Sequence, residues 1–289
     1  MHFQLSPNDM ALLPTEADLR FYREHGWWVS PKIFTDAEID AVTQAADEYY
    51  DGVRKPMPNG SEMPWGWKPD QGDTLRKNDW STLQHPGIMS LIRKPILGAM
   101  AARLAGTSQI RLWHDQLLWK PVERPGKQAN VGWHTDRGYW KTCSSPDMLT
   151  AWIPFHDCDE AIGGISFVDG SNHWPDNTEH LNFFSNDLEG LEKNFVTGGA
   201  PIRKITPLIR KGCCTFHNCL TIHGSGPNRS TRERRSLAVH LQDASNRFQV
   251  YTYKDGKPAT HGNDMFDRKD STGHPDYTDP AVHPVLWED

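Results

Sequence analysis

The stretch of the chain that most limits its fold runs from about residue 110 to residue 253. It consists of short β-like runs, which are separated by turn signals such as Gly163-Gly164, Asp169-Gly170 and Gly224-Ser225-Gly226. Short strands joined by glycine-containing turns at close spacing are typical of sheet-rich sandwiches and barrels. We therefore predict a mainly β structure for this stretch of the chain.

The region before this stretch is predicted to be helical. A helix over 35–51 begins with Thr35-Asp36-Ala37-Glu38, a capping box in which the first and last side chains bond each other's backbone amides. Apolar residues then recur at helical spacing. A further helix is expected over 86–105, where Pro95 and Gly98 kink or divide it.

Three shorter segments complete this coarse prediction. A helix over 15–25 is followed by Gly26 as its C-terminal cap and then by a short strand over 27–30. Residues 53–80 are rich in proline, glycine and tryptophan, which predicts a long ordered loop or lid. The chain after residue 254 is polar and predicted to be rich in turns.

Length and charge limit the domain count and the class of partner. At 289 residues and 37% apolar content, without a Gly/Ser-rich linker, the chain is expected to form a single domain over 1–289. That domain divides into a helical N-terminal region over 1–108, a strand-rich core of about 109–253 and a mixed tail over 254–289. A net charge of −6 argues against nucleic acid as the main partner, and no apolar run has the length of a membrane span.

The cysteines and the N-terminal residues predict a cytoplasmic protein. Five cysteines are an odd number, and Cys213 and Cys214 are adjacent, which fits a disulfide framework poorly. Reduced thiols are therefore expected. The first six residues contain neither a basic nor an apolar region, so we expect no secretory signal.

A metal site is predicted by Trp133-His134-Thr135-Asp136 together with His223. If the first motif lies on a strand, His134 and Asp136 project to the same face, and His223 from a distant strand completes two histidines and one carboxylate. This ligand set leaves open positions on one face of the metal and suits non-haem Fe(II). A lone H-x-D is more often an ordinary polar pair, and a second copy at 274–276 contains proline in a turn-rich segment, so we set that copy aside.

The residues after His223 predict a hairpin with a buried cation. The turn 224–228 leads through several arginines into a strand, on which Arg234, Ser236, Ala238 and His240 share one face. Small residues beside a single arginine leave room for a ligand whose carboxylate the guanidinium grips bidentately. The neighbouring arginines are expected to be surface charges.

Several ordered motifs resemble one known family. The chain is similar, from about residue 18 to 245, to the phytanoyl-CoA dioxygenase-like family of Fe(II)/2-oxoglutarate oxygenases, which includes ectoine hydroxylase. The resemblance is carried by the following blocks: 21–29 with 34–39, Leu118-Trp119-Lys120-Pro121, Trp133-His134-Thr135-Asp136, 163–173, and 223–230 with Arg234.

The resemblance implies a fold and a set of site residues. The implied fold is a double-stranded β-helix (jelly roll) with helices packed outside. His134, Asp136 and His223 would bind iron, and Arg234, eleven positions after the distal histidine as in the family, would bind the C5 carboxylate of 2-oxoglutarate. Ser225, Trp152 and Leu118 match cofactor-pocket positions, although Leu118 is apolar where ectoine hydroxylase has a polar residue.

Substrate contacts are predicted from position alone. His114 and Gln116 share the inward face of their strand with Leu118 by alternation. Arg137 and Trp140 lie on the loop after Asp136. His217 and His240 are candidates for contact with the metal ligands.

The implied activity is oxidation of an unactivated C–H bond with Fe(II), 2-oxoglutarate and O2, which releases succinate and CO2. The expected substrate is a small molecule, a specialised metabolite or amino-acid derivative, and the expected assembly is a monomer or homodimer. Because Asp136 is present, hydroxylation or a related oxidation is favoured over halogenation. Three alternatives stay open: an iron enzyme that does not use 2-oxoglutarate, a non-catalytic jelly-roll binding protein, and an oxygenase acting on a protein residue.

Overall fold

The structure is a computed structural model, and it describes residues 3–127 and 129–289. Helices are concentrated before residue 106 and strands after it. The helices are α1 Pro7–Ala11, α2 Glu16–His25, α3 Asp36–Tyr50, α4 Ser81–Gln84, α5 Pro86–Ile92, α6 Pro95–Ala105 and α7 Leu188–Glu192. The strands are β1 Trp27–Val29, β2 Arg76–Asp79, β3 Gln109–Lys120, β4 Val131–His134, β5 Leu149–Pro154, β6 Ser166–Val168, β7 Lys204–Ile205, β8 Thr215–Asn218, β9 His223–Ser225, β10 Arg234–Asp243 and β11 Val285–Glu288.

Local signals fix the ends of the main helices as the sequence predicts. The capping box of α3 forms, with the Thr35 amide donating to Glu38 Oε2 (2.7 Å) and the Glu38 amide donating to Thr35 Oγ1 (3.2 Å). Gly26 ends α2 with φ of 79°, a conformation that costs glycine little. The predicted helix over 86–105 is divided at Pro95 and not at Gly98, because glycine can stay helical whereas proline removes a backbone donor.

Two antiparallel sheets form the core of the chain. The seven-stranded sheet has the order β1-β8-β5-β10-β3-β11, with β2 also paired to β3, and the four-stranded sheet has the order β4-β9-β6-β7. Successive strands such as β8, β9 and β10 alternate between the sheets, as the winding of a jelly roll requires. The predicted mainly β jelly roll with flanking helices is confirmed.

The large sheet buries both of its faces. On one face Leu237 and Val239 of β10 pack in a cluster with Ile39 of α3, so helices cover this side. On the other face Ala238 packs in a cluster with Val131 of the small sheet. The alternation predicted for β10 is therefore confirmed, and the face that carries Ala238 is turned toward the space between the sheets.

Two sequence predictions about connections are wrong. The strands after His223 and from Arg234 do not form a hairpin: β9 pairs with β4 and β6 in the small sheet, whereas β10 pairs with β3 and β5 in the large sheet. The segment 53–80 is a loop for most of its length, but it ends in β2, which pairs with β3. The tail after 254 is rich in turns, as predicted, and it ends in β11, which adds an edge strand to β3.

All five cysteines are free, as predicted. Within the described residues, no helix combines the length and apolar character needed to cross a bilayer.

Candidate active site

Three predicted ligands meet at the end of the small sheet. His134 ends β4 and His223 begins β9, and the two residues are directly opposite in the register of these strands. Asp136 opens a 3₁₀ turn after β4, so the expectation that it lies on the same strand as His134 is wrong. The chain turns there because Thr135 caps the turn, accepting a hydrogen bond from the Gly138 amide (3.3 Å). The turn still brings Asp136 back, and one ligand atom from each of the three residues lies within 4.8 Å of the others.

Both histidines are held in the tautomer that metal binding requires. Nδ1 of His134 donates to the Gly132 carbonyl (2.8 Å), and Nδ1 of His223 donates to the Thr221 carbonyl (2.9 Å). Nε2 of each ring therefore keeps its lone pair. These Nε2 atoms lie 3.8 and 3.7 Å from Oδ1 of Asp136. Burial lowers the pKa of His134 and lowers that of His223 further, so both rings are neutral at pH 7.

The carboxylate of Asp136 is oriented by its other oxygen. Oδ2 accepts a hydrogen bond from the Thr150 hydroxyl (2.6 Å), and Nε2 of His217 lies 3.3 Å from the same oxygen. Burial alone would raise the pKa of Asp136, but the surrounding imidazoles of His223 and His240 outweigh burial and hold it well below its ordinary value. Oδ1 is therefore an ionised ligand atom that faces the two histidines.

A buried arginine lies in the cavity next to these ligands. Arg234 is 1% exposed, and its Nε and Nη2 atoms have no hydrogen-bond partner among the described residues. Its guanidinium lies 5.3 Å from the centre of the Trp152 ring. Burial lowers the pKa of Arg234 to about 10, which leaves the group charged at pH 7. Arg234, Trp152, Ser225 and Leu118, the four predicted cofactor-pocket residues, line one cavity together with His134, Asp136 and His223.

Lys120 is a buried cation that the sequence analysis did not assign to the site. It faces Arg234 in the register of β3 and β10 and is 0% exposed. Its Nζ donates to Ser225 Oγ (2.6 Å) and to the Gly226 carbonyl (2.5 Å). Burial lowers its pKa well below the ordinary value, and the charge of Arg234 lowers it further. Alternation from His114 through Gln116 and Leu118 reaches Lys120 next, so the signal was available.

A second cavity of about 290 Å³ begins at two of these ligands, His134 and Asp136. Three of the predicted substrate contacts, His114, Gln116 and Trp140, line it. Arg137 does not line it, because its Nη1 donates instead to the Ser145 carbonyl (3.1 Å). Six aromatic side chains contribute to the wall: Trp65, Trp80, Tyr139, Trp140, Phe183 and Phe184.

Other residues of this second cavity were missed by the sequence analysis. Lys77 donates to both oxygens of Asp79 (2.6 and 2.7 Å), and the Nε2 atom of His114 lies 3.0 Å from Asp79 Oδ1. His261 enters from the tail. Lys77 and Asp79 lie on β2, which the sequence predicted as loop, and no local signal shows that the tail folds back over this cavity.

The comparison with curated proteins gives distant relatives. One is the probable alpha-ketoglutarate-dependent hypophosphite dioxygenase of Stutzerimonas stutzeri, 28% identical over 178 residues, which are 57% of this chain and 56% of that protein. Another is the peroxisomal phytanoyl-CoA dioxygenase of Bos taurus, 24% identical over 143 residues, which are 47% of this chain and 40% of that protein. The chain thus spans about half the length of these relatives.

Solved structures share the fold over most of the chain. The non-heme alpha-ketoglutarate-dependent carbocyclase SnoK from nogalamycin biosynthesis aligns with a TM-score of 0.68 at 23% identity, covering 94% of this chain and 96% of SnoK. EctD from S. alaskensis, solved with 2-oxoglutarate and 5-hydroxyectoine, aligns with a TM-score of 0.62 at 18% identity, covering 86% of this chain and 82% of EctD. At these identities the likeness shows the fold.

The family is shown by the match to a family model. The model of the phytanoyl-CoA dioxygenase family (PhyH) matches residues 22–236, which include every predicted metal ligand and Arg234. This is the family that the sequence motifs resemble. The chain belongs to the phytanoyl-CoA dioxygenase family.

Proposed function

We propose that this protein is a single-domain Fe(II)- and 2-oxoglutarate-dependent oxygenase that oxidises an unactivated C–H bond of a small molecule. The observation that carries the proposal is the unpartnered guanidinium of Arg234, buried in the same cavity as His134, Asp136 and His223. A buried cation without a partner is costly, so the cavity is built for an anion beside the metal ligands. Membership of the family and the alpha-ketoglutarate-dependent relative support the same assignment.

The donor set fits ferrous iron. Two neutral imidazoles with free Nε2 lone pairs and one ionised carboxylate are the ligands of non-haem Fe(II) sites that keep open positions. His134, Asp136 and His223 would hold the ion, with Thr150 fixing the carboxylate and the Gly132 and Thr221 carbonyls fixing the rings. Bound there with 2-oxoglutarate and O2, iron would supply the oxidation of a C–H bond with release of succinate and CO2.

The residues around Arg234 suit the chemistry of 2-oxoglutarate. The guanidinium would bind the distal carboxylate, and Ser225, whose hydroxyl accepts from Lys120, would lie beside it. Leu118, Trp152 and Ile165 line the same cavity with apolar surface, which excludes water and strengthens the ion pair. Leu118 has no polar atom to offer, but Gln116 lines this cavity too and can supply an amide.

The size of the second cavity supports a small-molecule substrate, and the presence of Asp136 supports hydroxylation or a related oxidation. A volume of about 290 Å³ suits a small molecule, such as a specialised metabolite or an amino-acid derivative, better than a protein segment. The relatives are named for very different substrates, hypophosphite and phytanoyl-CoA, so the motifs do not decide the substrate. Asp136 would hold the position on the metal that a halide needs for halogenation, and its presence therefore favours hydroxylation or a related oxidation.

The test is an anaerobic titration with Fe(II) and then 2-oxoglutarate, followed by the visible charge-transfer band of the chelate. Wild type should develop the band, and Arg234→Met should need far more 2-oxoglutarate to reach it. Arg235→Met is the matched control, because Arg235 lies on the opposite face of β10 and pairs with Asp47 (2.9 Å). Iron binding without a band in the wild type would refute the use of 2-oxoglutarate and favour an iron enzyme that works without it.

A further inference from the structure

We infer that the cavity of about 290 Å³ binds an uncharged ring-bearing molecule that carries a hydroxyl group, which can pair with the free nitrogens of His240 and His261 on the cavity wall. This inference rests on the proposed function, because it names the substrate class of the same site. Charge, hydrogen bonding and the shape of the cavity support it separately.

The charged side chains on the cavity wall neutralise each other. Apart from Asp136, the charged residues that line it are Lys77 and Asp79. Lys77 Nζ contacts both oxygens of Asp79 at 2.6 and 2.7 Å, and Asp79 also has His114 and Trp65 as hydrogen-bond partners. Neither charge is left for a ligand, so a carboxylate or phosphate of the substrate would have no counter-ion here.

The hydrogen bonds of His240 leave one acceptor for a ligand. The Thr150 hydroxyl donates its single proton to Asp136 Oδ2 (2.6 Å), because an ionised carboxylate can only accept. Nδ1 of His240, 2.7 Å from the same hydroxyl oxygen, must therefore be the donor of that contact. Nε2 of His240 is then an acceptor, and it has no hydrogen-bond partner among the described residues.

His261 presents the opposite polarity. Its Nδ1 accepts a hydrogen bond from the Asn263 amide (3.2 Å), so the proton of the neutral ring is on Nε2. Of these two imidazoles, His240 therefore accepts and His261 donates. A hydroxyl group both donates and accepts, so it can pair with either ring, whereas a hydrocarbon leaves both unsatisfied.

The remaining wall selects rings. Trp80, Trp140 and Phe183 are buried in the wall, while Trp65, Tyr139 and Phe184 are 39%, 41% and 70% exposed around it. Exposed aromatic side chains that cluster at one opening mark a ligand-binding groove. Their flat faces favour stacking or edge contacts with another ring over contact with a flexible chain. The volume, at the small end of ligand pockets, limits the ring system to a compact one.

The test uses three matched probes on the full chain loaded anaerobically with Fe(II) and 2-oxoglutarate. The probes are 2-naphthol, 2-methylnaphthalene and 2-naphthoate, which share a ring system and differ in the substituent. Calorimetry should give 2-naphthol a dissociation constant about threefold to tenfold below that of 2-methylnaphthalene, as expected for one or two net hydrogen bonds. The anionic 2-naphthoate should bind more weakly than 2-naphthol.

Variants test which residues cause the preference for 2-naphthol. His240→Phe and His261→Phe should each reduce the advantage of 2-naphthol over 2-methylnaphthalene, while His274→Phe, an exposed tail histidine, should preserve it. The charge-transfer band reports an intact metal centre in each variant. If wild type shows the band but does not prefer 2-naphthol, or binds 2-naphthoate more tightly, this inference is overturned and the proposed function is not. Absence of the band in wild type would overturn the proposed function and this inference with it.

Discussion

Replacing Arg234 by methionine should stabilise the protein without ligand and abolish its stabilisation by 2-oxoglutarate. Arg234 and Lys120 are two buried cations on paired strands, and two nitrogen groups of Arg234, Nε and Nη2, have no partner in the described residues. Each such group costs on the order of 1–3 kcal/mol. Methionine has a similar length and no charge, so it removes that cost and the repulsion of Lys120.

The expected gain in stability of Arg234→Met is smaller than the cost of the unpartnered groups suggests. Methionine also loses the cation–π contact of Arg234 with Trp152, about 1–2 kcal/mol when desolvated. We expect a net stabilisation of about 2 kcal/mol, or a rise in Tm of about 3 °C for a chain of this size. Adding 2-oxoglutarate should make the wild type the more stable protein. At about 100 times its Kd, 2-oxoglutarate adds about 2.7 kcal/mol to the free energy of unfolding of the wild type. The variant should lose at least about 100-fold in affinity and gain almost nothing.

Thermal unfolding with and without metal and 2-oxoglutarate measures both effects. Arg235→Met is the control, because its ion pair with Asp47 is partly exposed and contributes at most about 1 kcal/mol. It should keep the full response to 2-oxoglutarate. An Arg234→Met protein that is less stable than wild type without ligand and responds to 2-oxoglutarate as wild type does would refute the reasoning.

Three further predictions follow from the same contacts. Lys120→Met should weaken 2-oxoglutarate binding about tenfold without changing iron affinity, because Lys120 positions Ser225 and adds positive charge beside the ligand. Equal losses of 2-oxoglutarate affinity and iron affinity in equilibrium titrations would contradict this. Thr150→Val should weaken Fe(II) binding about 10- to 100-fold, while Thr150→Ser, which keeps the hydroxyl on Asp136, should bind iron as wild type does in a competition assay with a chelator. The protein without metal should lose stability as pH falls below about 6.5, where histidines of the unfolded chain take up protons. Burial holds the pKa of His240 at about 3 and that of His261 well below the ordinary value, so the unfolded state binds more protons and unfolding becomes more favourable. Stability that stays constant in denaturant titrations from pH 7.5 to 5 would contradict this assignment.

Local patterns and motifs in the sequence were enough to predict part of the fold and of the site. Alternation identified the inward face of β10 that carries Arg234, and the capping box and Gly26 marked helix ends. These features depend on neighbours within a few residues. The metal site of His134, Asp136 and His223 was predicted from the H-x-D motif and a distant histidine, and the jelly roll came from resemblance to a family. The structure places the three residues together.

The rest depends on contacts between distant segments. The hairpin after His223 was predicted because a turn joins two strands, but pairing of β9 with β4 in one sheet and of β10 with β5 in the other is set by tertiary packing. His261 reaches the second cavity only because the tail folds against β3. The cytoplasmic location and the monomeric or dimeric state stay predictions.

The most direct test of the proposed function needs no knowledge of the substrate. It measures the succinate that purified protein forms from 2-oxoglutarate with Fe(II) and O2. We expect wild type to form succinate above the level of free iron, and His134→Ala with His223→Ala to form none above it. Equal succinate from wild type and from the double variant would contradict the assignment of an Fe(II)/2-oxoglutarate centre at these residues.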